Sequence, residues 1–194
     1  MGRFCEIHRE TKETRIRMAL KTEAEAPGLS GSSGIGFFDH MLNTFALHGG
    51  FGIEIDMAGD LEVDCHHSVE DLGIVLGAAF REIIGQDKNI ARFAHECIPM
   101  DESLAICSAD LGGRAHLAFN ADFAAASIGE YDTQMTKEFF YALAQNMLAA
   151  IHINLLYGEN DHHKTEAIFK ASARAIKKAL LPSGGCVVST KGAI

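Results

Sequence analysis

The chain has 194 residues, of which 47% are hydrophobic, and a formal net charge of -9 at pH 7. A chain of this length can bury a substantial core, and no apolar run is long enough to predict a membrane-spanning helix. The acidic balance argues against a nucleic-acid-binding protein, because such proteins present a basic face.

The spacing of apolar residues predicts the elements of the first half of the chain. Two strands precede a glycine- and serine-rich connection and a helix, and two further strands then lead to a long helix. The predicted ranges are 4–9 and 14–20 for the first strands, 24–34 for the connection, 34–47 for the first helix, 51–57 and 60–64 for the later strands, and 66–84 for the long helix.

The second half repeats this order of strands, helix, strand and long helix. A Phe-Phe pair lies near the start of the first helix of each half, so we interpret the chain as an internal duplication with an α+β fold. The predicted ranges are a turn at 99–103, a strand at 104–109, a turn at 110–114, a strand at 115–119, a small-residue loop or edge at 121–129, a helix at 135–151, a strand at 153–157, a turn at 158–161 and a long helix from His162.

Both long helices begin with the pattern His-His-x-x-Glu, at 66–70 and 162–166. Residues i and i+4 share one face of a helix, so His66 and Glu70 can bind the same ion, whereas His67 points elsewhere. Each copy can therefore contact two ions. Imidazole and carboxylate ligands without thiolates suit manganese, iron or zinc.

Two assignments of these ligands stay open. In one, each glutamate shares an ion with the histidine four positions earlier and with the second histidine of the other copy. The two groups would be His66, Glu70 and His163 at one ion, and His162, Glu166 and His67 at the other. In the rival assignment, each glutamate pairs with the histidine three positions earlier. The two copies can meet within one chain or across a subunit interface.

Further candidate site residues lie outside these motifs. His40 and His48 are on one side of the first predicted helix and can share a pocket, although a histidine among apolar residues is more often a satisfied core residue. An acidic protein needs a local basic cluster to bind an anionic substrate. The candidates for holding a phosphate group are Arg92, Arg114, Lys170, Ser189 and Lys191.

The first residues of the chain and the spacing of its cysteines predict a cytoplasmic protein. Residues 1–10 are charged and lack the apolar core of a signal peptide. The five cysteines show no paired spacing, which is typical of free thiols in a reducing compartment.

These motifs carry a resemblance to a known family. The chain resembles the imidazoleglycerol-phosphate dehydratases of histidine biosynthesis in both His-His motifs and in Gly-Phe-Phe-Asp-His-Met-Leu at 36–42. Two departures occur: Glu138 stands where many relatives carry a metal-binding histidine, and the turn at 111–115 replaces a commoner Ser-Gly-Arg-Pro. The matching segments follow the family's order along nearly the whole chain: 9–14, 34–42, 59–77, 98–102, 110–114, 158–170 and 189–192.

The resemblance implies a fold and an assembly. One dehydratase domain at 1–194 would consist of two similar βαβ-type halves, roughly 1–90 and 91–194, with two four-stranded sheets and a layer of four helices. Two Mn²⁺ ions would occupy each active site. The protein would form a homo-oligomer of 24 subunits with sites shared between subunits, and its partner would be a small phosphorylated imidazole substrate rather than nucleic acid or a membrane.

The resemblance also implies a role for individual residues. The implied metal ligands are His40, His66, His67, Glu70, His162, His163 and Glu166. The implied substrate-contacting residues are Glu13, His40, His48, His66, Arg92, Arg114, His162, Lys170, Ser189 and Lys191. The implied catalytic residues are Glu13, His48, Glu70 and Glu166.

The implied reaction is the manganese-dependent dehydration of imidazoleglycerol phosphate to imidazole-acetol phosphate. The proton that is lost sits on a carbon without an adjacent carbonyl, so a simple base is inadequate. A metal pair would favour an imidazolate, which expels the neighbouring hydroxyl group and leaves a diazafulvene-like intermediate. Glu13 is the candidate base for the proton that then becomes acidic, and His48 or a metal-bound water would assist the departing hydroxide.

Two other functions compete with this interpretation. A two-metal phosphatase would release phosphate and would not need an imidazole ring in its substrate. A metal-stabilised shell or storage protein would bind metal and assemble without turnover.

Overall fold

The computed structural model describes residues 2–87 and 89–184. Ten strands and four helices occupy this part of the chain. The strands are β1 (Phe4–Glu10), β2 (Thr14–Lys21), β3 (Gly28–Ser30), β4 (Gly52–Gly59), β5 (Phe93–Met100), β6 (Ser103–Asp110), β7 (His116–Asn120), β8 (Ser127–Ile128), β9 (Tyr131–Asp132) and β10 (Ala150–Tyr157). The helices are α1 (Gly36–Gly49), α2 (His66–Gln86), α3 (Met135–Met147) and α4 (Asp161–Ala179).

The two halves have the same topology. One four-stranded sheet has the order β1-β2-β4-β3 and the other has the order β5-β6-β10-β7. In each sheet the first three strands are antiparallel and the last strand is parallel to its neighbour, β3 to β4 and β7 to β10. A helix, α1 or α3, provides the crossover between the parallel strands. This arrangement confirms the predicted α+β fold of duplicated βαβ-type halves.

The helices lie between the two sheets. Helix α2 packs on β1 and β2, and α4 packs on β5 and β6. The halves are joined by helix contacts, since α2 packs on α3 and α1 packs on α4. Both Phe-Phe pairs contribute to the core between them: the Phe38 and Phe139 rings are 5.3 Å apart between centroids, and Phe139 stacks on Phe169 at 5.3 Å. Among the described residues, no helix is long and apolar enough to cross a membrane.

Three elements differ from the sequence predictions. Residues 60–64 form a turn rather than a strand, because Gly59 pairs with Thr14, the first residue of β2, and the next residues have no partner strand. Strand β5 includes Pro99, for which the sequence predicts a turn. Strand β5 is at the edge of its sheet, and an edge strand tolerates proline because one side of its backbone needs no hydrogen-bond partner. The connection at 24–34 contains the short strand β3.

The end of α3 was also predicted wrongly. The apolar run continues to 151, but the helix ends at Met147, and Leu148 adopts the left-handed conformation with φ 55°. Strand β10 begins at Ala150 and pairs with both β6 and β7. The hydrogen bonds of β10 to strands on both of its sides therefore outweigh the helical spacing of apolar residues in this segment.

Close packing of α2 on α3 depends on two glycines, Gly73 and Gly77. A Cβ atom at Gly73 would lie 2.7 Å from the carbonyl oxygen of Phe139 and 2.9 Å from the Cβ of Ala142. We expect Gly73→Ala to destabilise the fold by about 1–3 kcal/mol, because the two helices must move apart to accept the methyl group. Urea unfolding at fixed protein concentration measures the change.

Gly85→Ala is the matched control in the same helix. A Cβ atom there meets nothing within 4 Å in the described part of the chain. This substitution should be neutral or stabilising by up to about 1 kcal/mol, since alanine is the better helix former. Equal stability of the Gly73→Ala and Gly85→Ala proteins would contradict tight packing at Gly73.

Candidate metal and substrate site

Helices α1 and α4 bring together three metal-ligating side chains, His40, His162 and Glu166. The Nε2 atoms of His40 and His162 lie 3.6 Å and 3.4 Å from Oε2 of Glu166. All three ligand atoms lie within 4.8 Å of one another, and this is the one such group of three among residues 2–87 and 89–184. The donor set of two imidazoles and one carboxylate suits a divalent cation of the manganese, iron or zinc type.

Neighbouring side chains orient this three-residue cluster. The Phe37 ring packs edge-on against His162, with centroids 5.0 Å apart. Lys170 donates to Oε1 of Glu166 at 2.8 Å, so that Oε2 is directed at the two imidazoles. Burial tends to raise the pKa of Glu166, but the hydrogen bond and positive charge of Lys170 hold that pKa below its ordinary value. The carboxylate is therefore ionised and ready to bind a cation.

The other histidine of α1, His48, lies close to two basic residues of α4, Lys170 and Arg174. Burial, together with the charges of Lys170 and Arg174, lowers the pKa of this half-buried imidazole. A lower pKa means that His48 is mostly neutral at pH 7. A neutral imidazole can both donate and accept a hydrogen bond.

The first motif has the same local geometry as the second. Nε2 of His66 lies 3.6 Å from Oε2 of Glu70, one helical turn later. The start of α2 is held by Asp64, whose Oδ1 accepts the backbone N–H of His66 at 2.7 Å. Within the described part of the chain, this pair has no third donor that would complete a group like that of α4. The two motifs thus do not join in one cluster within a single chain.

The second histidine of each motif contacts acidic groups instead. Nδ1 of His67 lies 2.9 Å from Oδ2 of Asp60, and its Nε2 lies 3.7 Å from Oε1 of Glu13. Nδ1 of His163 lies 2.7 Å from Oε2 of Glu102. Glu70 and Glu166 each lie close to the histidine four positions earlier, His66 and His162, and which ligands share an ion stays a prediction.

The start of α4 is fixed by side-chain capping. Asn160 accepts the backbone N–H groups of His162 and His163 with its Oδ1 atom, as an N-cap residue does. The next residue, Asp161, is buried with Lys164 at 2.7 Å and accepts the backbone N–H of Ala125 at 2.7 Å. The positions of both histidines thus follow from a rigid helix N-terminus.

Glu13, the candidate base, lies in the turn between β1 and β2. Its side chain is 52% exposed, and its Oε1 atom faces Nε2 of His67. The turn is ordered by Thr11, whose Oγ1 accepts the backbone N–H groups of Glu13 and Thr14. The carboxylate is consequently accessible to a substrate next to the first motif.

The candidate phosphate-binding residues have different surroundings. Lys170 belongs to the α4 cluster, where it also lies 3.1 Å from Sδ of Met100. Arg92 forms an ion pair with Asp110 at 2.7 Å, and its guanidinium lies over the Phe93 ring. Arg114 is exposed in the loop between β6 and β7. The remaining two candidates, Ser189 and Lys191, lie outside the described residues.

Sequence reasoning assigned no role to Asp60, Glu102 or Phe37. The sequence predicts a strand at Asp60 and a turn at Glu102, and an acidic residue in a turn is usually solvated. The internal repeat could have indicated a role for Glu102, because Glu102 immediately precedes β6 as Glu13 immediately precedes β2. Glu138 is half-buried in the first turn of α3 and is not a member of the three-residue cluster.

Comparison with known proteins decides the family. The family model described as imidazoleglycerol-phosphate dehydratase matches residues 33–176. The chain belongs to the imidazoleglycerol-phosphate dehydratase family. It is therefore an enzyme of the hydro-lyase type, and the family assigns it to histidine biosynthesis.

Individual dehydratases are similar along their full length. The imidazoleglycerol-phosphate dehydratase of Phenylobacterium zucineum is 46% identical over 198 residues, which cover all of both chains. That of Methanosarcina mazei is 47% identical, with 99% of this chain and 100% of the relative covered. The crystal structure of the Staphylococcus aureus enzyme superposes with a TM-score of 0.84 at 36% identity, covering 93% of this chain and 99% of that chain.

A second solved structure gives the same result. The dehydratase from Pyrococcus furiosus, in complex with (S)-C348, has a TM-score of 0.82 and 34% identity. The match covers 97% of this chain and 100% of that chain. Likeness to the dehydratases thus extends over both sheets and all four helices.

Proposed function

We propose that this dehydratase removes water from imidazoleglycerol phosphate to give imidazole-acetol phosphate, with two Mn²⁺ ions at each active site. The observation that carries the proposal is the cluster of His40, His162 and Glu166, found in a chain of this family. We further propose that the enzyme works in the cytoplasm. The four cysteines of the described residues are free thiols, and such thiols stay reduced there.

The donor atoms fit manganese. His40, His162 and Glu166 would hold one ion, and His66 with Glu70 would contribute to the other. We propose that His67 and His163 complete these two sites from neighbouring copies. Nitrogen and carboxylate donors without thiolates are compatible with Mn²⁺. When bound, the two cations act as Lewis acids that stabilise negative charge on the imidazole ring of the substrate.

Glu13, beside the first motif, and His48, on α1, would serve the proton transfers of the reaction. Loss of the ring N–H proton and of the hydroxyl group next to the ring, together as water, would leave a diazafulvene-like ring, and the C–H of the second side-chain carbon would then become acidic. We propose that the exposed carboxylate of Glu13 takes this proton. The neutral His48 imidazole would donate a hydrogen bond to the departing hydroxyl group. Protonation of the resulting enol gives the ketone.

The phosphate group needs positive charge in a chain whose formal net charge is -9. Lys170, which contacts Glu166 of the metal cluster, would place one positive charge beside the substrate. Arg92 and Arg114 would add guanidinium groups, which bind phosphate through two parallel hydrogen bonds. We propose that Ser189 and Lys191 complete this binding site. Binding of the phosphate group would position the carbon chain of the substrate next to the proposed metal ions.

Turnover of imidazoleglycerol phosphate tests this function directly. Metal-stripped protein is assayed with and without added Mn²⁺, and the ketone product and free phosphate are measured together. We expect ketone only in the presence of Mn²⁺ and no phosphate release. Phosphate release would indicate a two-metal phosphatase, and a folded, metal-loaded protein without either product would indicate a metal-binding protein that lacks this activity.

We also propose that the active sites are shared within a homo-oligomer of 24 subunits. The support is that the His66–Glu70 pair has no third donor within the described part of its own chain. If a neighbouring copy supplies the missing ligand, removal of the metal also removes assembly energy. Treatment with a chelator is therefore expected to reduce the particle size, and light scattering measures it. An unchanged particle size after complete metal removal would contradict shared ligands.

A further inference from the structure

We propose that Asp60 and Glu102 are positioning residues that fix the tautomers of His67 and His163, so that the Nε2 atom of each histidine faces a metal ion. This inference rests on the proposed metal centre. A metal-ligating histidine commonly donates its other ring N–H to a carboxylate, which sets the ring orientation. The two carboxylates come from different places in the two halves, since Asp60 directly follows β4 and Glu102 directly precedes β6.

The Glu102 carboxylate takes part in four hydrogen bonds. Its Oε1 atom accepts the backbone N–H groups of Glu159 at 3.2 Å and Asn160 at 2.8 Å, and the hydroxyl of Ser103 at 2.9 Å. Its Oε2 atom lies 2.7 Å from Nδ1 of His163.

Three N–H and O–H donors already point at Oε1 of Glu102, so its carboxylate acts as an acceptor, and Nδ1 of His163 carries the proton of the hydrogen bond to Oε2. The neutral form of His163 therefore has its lone pair on Nε2. Because Glu102 also binds the turn before α4, it fixes the ring relative to the helix that carries His162 and Glu166. A metal ion reaching His163 would find the ligating atom in one defined direction.

Asp60 has the same function in the first half. Its Oδ2 atom lies 2.9 Å from Nδ1 of His67, and its backbone N–H donates to the carbonyl oxygen of Glu13. Its Oδ1 atom is buried and makes no hydrogen bond to the described residues. A buried, unpaired carboxylate oxygen costs stability. The Asp60 carboxylate is thus directed at the ring of His67 through its Oδ2 atom.

The two halves differ in the contacts of the glutamate that precedes their second strand. Glu13 and Glu102 occupy the same place, immediately before the second strand of their half. Glu102 accepts four hydrogen bonds, one of them from Nδ1 of His163, whereas Nδ1 of His67 contacts Asp60 and Glu13 lies 3.7 Å from Nε2 of that ring. We infer that Asp60, by binding Nδ1 of His67, leaves the Glu13 carboxylate available to a substrate, whereas Glu102 is committed to His163 and to the turn before α4.

Glu102→Gln is the sharpest test because it preserves shape. The amide carbonyl should stay with the three donors of Ser103, Glu159 and Asn160, which places the NH₂ group against Nδ1 of His163. Nδ1 must then accept, and the proton moves to Nε2, where it blocks metal binding. Glu159→Gln is the matched control, since it changes an exposed carboxylate of the adjoining turn.

Two readouts distinguish this role from a general structural one. Titration with Mn²⁺, followed by electron paramagnetic resonance of the free ion, should show about 10–100-fold weaker binding in Glu102→Gln and no change in Glu159→Gln. Nitrogen NMR of histidine-labelled, metal-stripped full-length protein should show that His163 changes to the Nε2–H tautomer. An unchanged tautomer and unchanged Mn²⁺ affinity in Glu102→Gln would overturn the inference.

Asp60→Ala provides the same test in the first half, with Glu62→Ala as its control in the same turn. We expect weaker Mn²⁺ binding and loss of the fixed Nδ1–H tautomer of His67 in Asp60→Ala alone. Equal affinity and tautomer in the two proteins would exclude the role of Asp60. Failure of the parent protein to bind Mn²⁺ would refute the proposed metal centre, whereas the tautomer measurement on metal-stripped protein would still decide the positioning of each histidine.

Discussion

Glu13→Gln is expected to lower kcat by about 10²–10⁴-fold, the usual contribution of a general base. Glutamine has the same shape but cannot accept a proton at neutral pH, so the substrate C–H bond would have no base. Mn²⁺ content and particle size should stay unchanged, because the exposed Glu13 side chain is not one of the clustered ligands. Steady-state assays, metal analysis and light scattering measure the three quantities.

The control for this substitution is Glu10→Gln, which removes an exposed carboxylate at the other end of the same hairpin turn. It should retain the kcat of the parent enzyme. If Glu13→Gln also keeps full turnover, Glu13 is not the base. If it loses Mn²⁺ together with activity, the loss has to be attributed to the metal centre instead.

His40→Ala is expected to abolish turnover by emptying one metal position. His40 is the only member of the three-residue cluster of described donors that comes from α1, and its Nε2 lies 3.6 Å from Oε2 of Glu166. Loss of a direct ligand should weaken Mn²⁺ binding by at least the roughly 10–100-fold that follows loss of an outer-shell partner. Alanine is a good helix former and the His40 side chain is 46% exposed, so α1 should remain folded.

Metal titration of His40→Ala beside His152→Ala measures this effect. His152 is exposed on β10, and its ring lies beside that of His116, with centroids 5.6 Å apart. His152→Ala should bind Mn²⁺ like the parent protein and keep its activity. Equal Mn²⁺ stoichiometry in the two variants would show that α1 does not contribute to the metal centre.

Much of the site follows from local sequence geometry. The residues at i and i+4 of a helix share a face, so the contacts of His66 with Glu70 and of His162 with Glu166 could be predicted from their spacing. Asn160 before the second motif is a strong N-cap signal, and Gly50 ends α1 in the left-handed conformation. These features depend on a few neighbouring residues, which the sequence specifies directly.

Contacts between distant segments could not be predicted in the same way. Nothing in the spacing of His40 indicates that α1 lies against α4, because that contact depends on the packing of the two halves. Likewise, the roles of Asp60 and Glu102 depend on which hairpin reaches which helix N-terminus. The assignment of each ligand to an ion stays a prediction, since it involves a second copy of the chain.

The sequence by itself determined the duplicated α+β fold, the two histidine motifs at helix N-termini and the family resemblance, because these are repeated or local patterns. Only the tertiary structure decided where β10 replaces the end of α3, and that Asp60 meets Nδ1 of His67 while Glu102 meets Nδ1 of His163. Strand pairing and side-chain hydrogen bonds between distant residues decide these features. Their energies depend on the assembled core and not on any single segment.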